Sequence, residues 1–351
     1  MTKLRVIQWS TGHVGVAALH GIISHPDLEL VGLWVHSDAK VGVDAGSLCG
    51  LPDTGVLATN DVDAILALDA DCVCYTATAD LRPFEAVADL VRILASGKNV
   101  VSSSLVQLLH PKTAEPTMVE PLEAACKEAG VSCWFNGIDP GFANDVLPIV
   151  LTGCSESITE VRIMEILNYD TYDQGEVLEE TMGFGKPLDH TPMLLLPGIL
   201  GFAWGGVINQ IAEALGVTLD RIDETFEKAA LDRDVTIPTG TIAAGTQAGL
   251  RFEVQGVVNG RPAIIVEHVT RVHDDVAPDW PKGQGYRISI TGNPNIDVEF
   301  AMRGLDGDHN TGGLVVTAMR IINAIPAVCA AAPGMLSVND LPMIAGRHLL
   351  T

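Results

Sequence analysis

The chain has 351 residues, 47% hydrophobic and 19% charged, with a formal net charge of −23. That much apolar sequence suits two domains with separate cores, and an acidic balance with no Lys/Arg cluster argues against nucleic acid or an anionic membrane as a partner. Seven scattered cysteines with no C-x-x-C pair read as reduced thiols of a cytoplasmic chain, with no metal site expected.

In chain order, a strand-like run from Leu4 to Trp9 stops at WSTGHVG and gives way to the helix pattern VGVAALHGIISH. Gly12 and Gly15 stand at the second and third glycine positions of a G-x-G-x-x-G fingerprint, with Ser10 at the first. Strand, turn and helix follow in the order that brings backbone amides and a helix dipole onto a pyrophosphate. Ser10, Thr11, Gly12, His13, Val14 and Gly15 are therefore the expected phosphate loop. Ser10 is expected to avoid a positive φ and to offer its hydroxyl.

The second strand, LELVGLWV, runs into His36 and Ser37, with Lys40 three residues on. A site for NAD usually puts an acidic residue here, about 20 residues past the glycines. A hydroxyl, an imidazole and an ammonium suit a 2′-phosphate instead, so NADP(H) is the preferred cofactor, with NAD(H) kept open by Asp38. After a Gly-punctuated loop, NDVDAILAL leads to DCVCYTA, whose strand ends at Thr76, Ala77 and Thr78. Small groups at the carboxyl end of such a strand suit the wall beside ribose and nicotinamide. PFEAVADLVRILASG, NVVSSS, PLEAACKEAG and SCWFNG continue the alternation. The fold class is α/β, with a Rossmann doubly wound parallel sheet over residues 1–147.

From 148 to 309 the pattern changes to a second, α+β domain with an open, largely antiparallel sheet. ITEVRIMEILNY, LRFEVQGVVNGRPAIIVEHVTRVHDD and YRISITGNPNIDVEFAMRG read as strands, with NG and GNPN marking turns. Between them the pattern predicts two helices, one over about 195–214 and one starting TLDRIDETFEKAA, capped by Thr218 or Asp220. The apolar run 193–208 is too short to span a membrane. Residues 310–351 form a closing helix and a tail that return to the first domain; the helix opens at Asn310 and Thr311, where free amides are expected to approach the cofactor.

STGHVG, VHSDAKVG, GKNVVSS, NGIDPGFAND, MGFG and NTGGLVVTAMRIINAIP together resemble the dihydrodipicolinate-reductase-like family that includes 2,4-diaminopentanoate dehydrogenase and NAD(P)H-dependent amine dehydrogenases. The resemblance implies two domains with a cleft between them, a homodimer built on the second domain's sheet, and reduction of a C=N or C=O bond or its reverse. It places Asp139, Pro140, Gly141 and Phe142 in a turn under the nicotinamide. One departure stands out: the amine-active members commonly carry an acidic residue shortly after the fifth strand, and here Leu105, Val106 and Gln107 occupy that segment.

The proton-transfer group is then sought elsewhere. Asp139 and Tyr169 are the expected catalytic residues, and His110 is a further candidate. Glu165 lies four residues before Tyr169, on the same strand face if the strand is regular. Glu165, Asn168 and Tyr172 are expected near the substrate, with Phe142, Phe184 and Trp204 as apolar walls. The expected activity is interconversion of a small to medium, mostly apolar amine with its ketone or aldehyde, or direct carbonyl reduction. The alternative is a non-catalytic NADP(H)-binding redox sensor.

Overall fold

The structure, a computed structural model, describes residues 2–79 and 82–350. It divides into two compact units, Met1–Phe142 with Leu314–Thr351, and Ala143–Gly313.

The first unit begins with β1 (Leu4–Trp9), α1 (His13–Ser24), β2 (Leu28–Trp34), α2 (Ala45–Leu48), β3 (Ala58–Thr59), α3 (Val62–Leu66), β4 (Cys72–Tyr75), α4 (Pro83–Ala95), β5 (Asn99–Ser102), α5 (Pro116–Ala129) and β6 (Ser132–Phe135). Pro83 and Pro116 each open a helix, where the missing N–H costs nothing. Strands β4 and β6 are buried along their whole length, as expected of a parallel sheet covered on both faces.

The second unit follows: α6 (Val146–Thr152), β7 (Ser157–Asn168), α7 (Ile199–Leu215), β8 (Arg221–Ala230), β9 (Val235–Ile237), β10 (Gly240–Ile242), β11 (Gln247–Val258), β12 (Arg261–Arg271), β13 (Gly285–Asn293) and β14 (Ile296–Phe300). Its sheet runs β14-β13-β7-β12-β11-β8 and is antiparallel except for the β7–β12 pair. α7 packs on β8, β11 and β12. α6 packs on α7 and β7, within the second unit.

One element differs in kind from the sequence reading. TLDRIDETFEKAA is not a helix; Arg221–Ala230 is the edge strand β8, paired antiparallel with β11. The run has no clean two-residue alternation, since Ile222 and Phe226 share a face with Glu224 and Lys228, and pairing with a twelve-residue partner strand overrides its helical propensity. Charged residues on such an edge discourage further pairing. Asp220, expected to cap a helix, accepts the Gly260 amide at 2.7 Å instead.

The chain closes with α8 (His309–Cys329) and β15 (Gly334–Leu336). β15 completes a seven-stranded parallel sheet in the order β15-β6-β5-β4-β1-β2-β3. On one face Ala318, Ile321, Ile322, Ile325 and Val328 of α8 pack with Val6, Cys72, Cys74, Val101 and Trp134; on the other, α4 and α5 pack over Ile7, Val73 and Val100. α8 is long and apolar enough to cross a membrane, yet these buried contacts make its apolar side part of the core.

Candidate functional site

In the first unit the fingerprint turn is braced from beneath. Gln8, fully buried in β1, donates its side-chain amide to the Ser10 carbonyl and to the Thr76 hydroxyl, both at 2.8 Å. The Thr76 hydroxyl donates in turn to the Trp9 carbonyl at 3.0 Å. Ser10 adopts φ +81°, contrary to the expectation that it would avoid positive φ. The Ser10 peptide lies close against the helix start: a Cβ on Gly15 would stand 2.5 Å from the Ser10 oxygen and 2.9 Å from Thr76 Oγ1. The Gln8 and Gly15 contacts together hold that peptide in the strained conformation.

Above the turn there is room. A Cβ on Gly12 would meet nothing within 4 Å, and α1 begins there with no side-chain cap and no acidic residue in its first turn. Open space at the positive end of a helix fits a pyrophosphate. Lys40 reaches the same turn, its Nζ donating to the Thr11 carbonyl at 3.0 Å and to Thr11 Oγ1 at 2.9 Å. His36 and Ser37 are exposed at the end of β2, and Asp38 accepts from the Asn60 side chain at 2.8 Å. His13 is exposed and Val14 half-buried at the helix start; Ala77 is buried and Thr78 exposed. The residues present thus fit a dinucleotide phosphate.

After β5, Leu105 is 4% exposed and packs in the core, while Val106 and Gln107 are half-buried. His110 is buried too, its Nδ1 2.8 Å from the Thr113 hydroxyl. Residues 137–142 make a tight turn with a cis Asp139–Pro140 bond, closed by the Phe142 amide on the Gly137 carbonyl at 2.9 Å. Only glycine fits at 141: its φ is +152° and a Cβ would stand 2.2 Å from that same carbonyl. Arg320 of α8 lies over the rings of Trp134 and Phe142, at 5.0 and 5.7 Å, and donates to Asn136 Oδ1 at 3.0 Å.

In the second unit β7 ends at Asn168, and the next residue, Tyr169, still donates its amide to the Arg271 carbonyl of β12 at 2.7 Å. Tyr169 stacks on Tyr172 with ring centroids 4.7 Å apart. Asn168 accepts the Asp170 amide at 3.0 Å and donates to Asp274 at 2.9 Å, and its carbonyl accepts from His309 Nε2 at 2.6 Å. Asn310 donates to the Thr171 hydroxyl at 2.7 Å, and that hydroxyl donates to Asp308. The expected free amide at the start of α8 is taken: Asp308 accepts from both the amide and the hydroxyl of Thr311, at 3.1 and 3.3 Å, as a residue before the first helical turn does. Partial burial opposes the charge of Asp308, but these bonds outweigh it and hold its carboxyl below the usual range. Phe184, expected as a wall, is 1% exposed and belongs to the core; Trp204 packs on Phe252 and on His268.

Glu165 is a buried carboxylate with two partners. The Tyr286 hydroxyl donates to its Oε1 at 2.7 Å, and His268 Nδ1 to its Oε2 at 2.9 Å. Gln8, Arg320, His268 and Tyr286 were not singled out from the sequence. A glutamine inside RVIQW and a histidine inside AIIVEHVTRV are the readable signals, since each interrupts an apolar strand with a group that needs a partner.

Residues 142–348 match the model of the 2,4-diaminopentanoate dehydrogenase C-terminal domain. The chain is 43% identical to an amine dehydrogenase of Streptomyces virginiae over 97% of its own length and 96% of that protein's. It is 27% identical to 2,4-diaminopentanoate dehydrogenase of Acetoanaerobium sticklandii, over 98% and 94%. The fold superposes on an amine dehydrogenase from Mycobacterium smegmatis with a TM-score of 0.77 at 21% identity, over 98% and 97% of the two chains.

Proposed function

The chain belongs to the family of 2,4-diaminopentanoate dehydrogenase and the amine dehydrogenases, and on that footing we propose that it interconverts a small to medium, mostly apolar amine with its ketone or aldehyde, using NADP(H) in preference to NAD(H). It is a nicotinamide-dependent oxidoreductase acting on a small molecule, which displaces the redox-sensor alternative. The open cradle at Gly12, with the Lys40 ammonium at Thr11, is the observation that carries the cofactor reading.

In this reading the amides from Gly12 to Gly15, with the Ser10 and Thr11 hydroxyls, hold the pyrophosphate. His36, Ser37 and Lys40 hold the 2′-phosphate, and Asp38 accepts from Asn60 through one carboxylate oxygen. Thr76, Ala77 and Thr78 line the ribose and nicotinamide end. When bound, the nicotinamide supplies or accepts the hydride. The chain's own residues position the substrate and move protons, with Asp139 and Tyr169 serving the oxygen side, where carbonyl reduction or carbinolamine breakdown needs a donor or acceptor. Phe142 and Trp204 give the substrate apolar contact. The second unit's sheet pairs two copies into a homodimer.

Following NADPH absorbance against a panel of ketones and aldehydes, each with and without ammonia, tests the activity. Oxidation that requires ammonia is expected. Equal rates without ammonia would make the chain a carbonyl reductase.

A further inference from the structure

On one face of the second unit's sheet, strands β12, β7 and β13 set their residues side by side in rows. Ile264, Val161 and Ile290 form one row, and Val266, Ile163 and Ile288 the next, all of them at most 1% exposed. The third row, at the same register, is His268, Glu165 and Tyr286, exposed by 4, 9 and 4%. Two apolar rows thus give way to three polar groups on the buried face. Packing does not call for them, because a buried ionic set is often no more stabilising than apolar residues of the same volume.

The geometry is that of a poised imidazole. The Glu165 carboxylate accepts from His268 Nδ1, which keeps a proton on that nitrogen and makes Nε2 the basic atom. Phe252 stacks on the imidazole at 4.6 Å and 9°, and Trp204 meets it edge-on at 4.7 Å, so the ring plane is fixed. The Tyr286 hydroxyl holds the other carboxylate oxygen, which stops Glu165 from turning away.

Amine oxidation needs such a base. The substrate enters as an alkylammonium ion, and no hydride can leave its carbon until the nitrogen has a lone pair to form the C=N bond. Over the whole reaction the alkylammonium ion, NADP+ and water give the ketone or aldehyde, an ammonium ion, NADPH and a proton. Leu105, just past β5, is packed in the core and offers no group for this step. We propose that His268 Nε2 takes the proton from the substrate ammonium and returns it in the reverse direction, with Glu165 and Tyr286 as positioning residues. The proposal rests on the amine dehydrogenase reading above.

Two readouts test it. In the holoenzyme, His268→Gln should lower kcat for ammonia-dependent turnover by about 100-fold or more, the scale of a lost general base, with the KM for ketone and the Kd for NADPH within about threefold. Glu165→Asp should retain more kcat than Glu165→Gln, and imidazole should restore part of the activity of His268→Ala. Separately, in protein labelled with 15N-histidine, adding 2-aminobutane without cofactor should shift the His268 Nε2 resonance while Nδ1 stays protonated. If the variants lose melting temperature but keep kcat at a permissive temperature, or if the amine leaves that resonance unmoved, the trio is only a structural ion pair and the proposal is wrong. If the parent turns over no amine or carbonyl, the function reading fails by itself, and the resonance still decides whether His268 meets an amine.

Discussion

Gly15 sits so close to Ser10 that a Cβ would lie 2.5 Å from the Ser10 carbonyl oxygen, whereas Gly12, three residues earlier, faces open space. The two glycines should therefore fail differently. Gly15→Val has to displace backbone and should destabilise the first unit by about 1–3 kcal/mol or more, the cost of overpacking a tight site. Gly12→Val should leave the fold intact and block the phosphate. Circular dichroism and NADPH titration separate the outcomes; full cofactor affinity in folded Gly12→Val would show that the loop is only a corner.

Cofactor choice should depend on the end of β2. Ser37→Ala combined with Lys40→Ala should weaken NADPH by about 1–3 kcal/mol, the range for hydrogen bonds to charged groups, and change NADH much less. Lys40 also braces Thr11. Equal losses for both cofactors would mean that it acts through the loop and does not read the 2′-phosphate.

Asp139→Asn and Tyr169→Phe probe the oxygen side of the chemistry. At least one should lower kcat by about 100-fold while NADPH affinity holds within about threefold. Parent-like turnover by both on the best substrate would remove these residues from the proton path.

The first unit was readable because its signals are local. Continuous apolar strands, helices opened by Pro83 and Pro116, and glycines at fingerprint spacing each act within a few residues. The second unit depends on register between distant segments. TLDRIDETFEKAA fits a helix until β11 is placed beside it, and Glu165 acquires His268 and Tyr286 only when strands about a hundred residues away are aligned. The same limit hid the brace from Gln8 to Thr76 and the reach of Arg320 over Phe142.

A homodimer is expected through the second unit. α7 covers one face of the sheet, with Ile208 against Gly256 and Trp204 against Phe252, while the alternation puts Arg162, Arg251, Glu253 and Arg287 on the other. A broad sheet face is readily self-complementary about a two-fold axis. Light scattering should give twice the 37.1 kDa chain mass across micromolar dilutions; a single-chain mass throughout would reject the dimer.

That same face predicts how stability responds to acid. Glu267 is fully buried between Arg162 and Arg251, and Glu253 accepts from Arg162 at 2.7 Å. Burial opposes the charge on Glu253, but its bonds from Arg162 and Gln255 and the nearby charges of Arg162 and Arg251 outweigh it, so its carboxyl lies below the ordinary glutamate value of 4.5. A carboxyl depressed in the folded state adds stability that is fully present above the unfolded value and lost as pH falls through the folded one. The parent should therefore lose part of its unfolding free energy below about pH 4.5, since only the unfolded chain readily takes up the proton there. Glu253→Gln should cost about 1–3 kcal/mol at neutral pH, because it leaves Arg162 with one buried anionic partner fewer. Its unfolding free energy should also fall less steeply with acid. Urea titrations of both proteins at neutral and acid pH measure this; parallel losses in parent and variant would show that Glu253 carries none of the acid sensitivity.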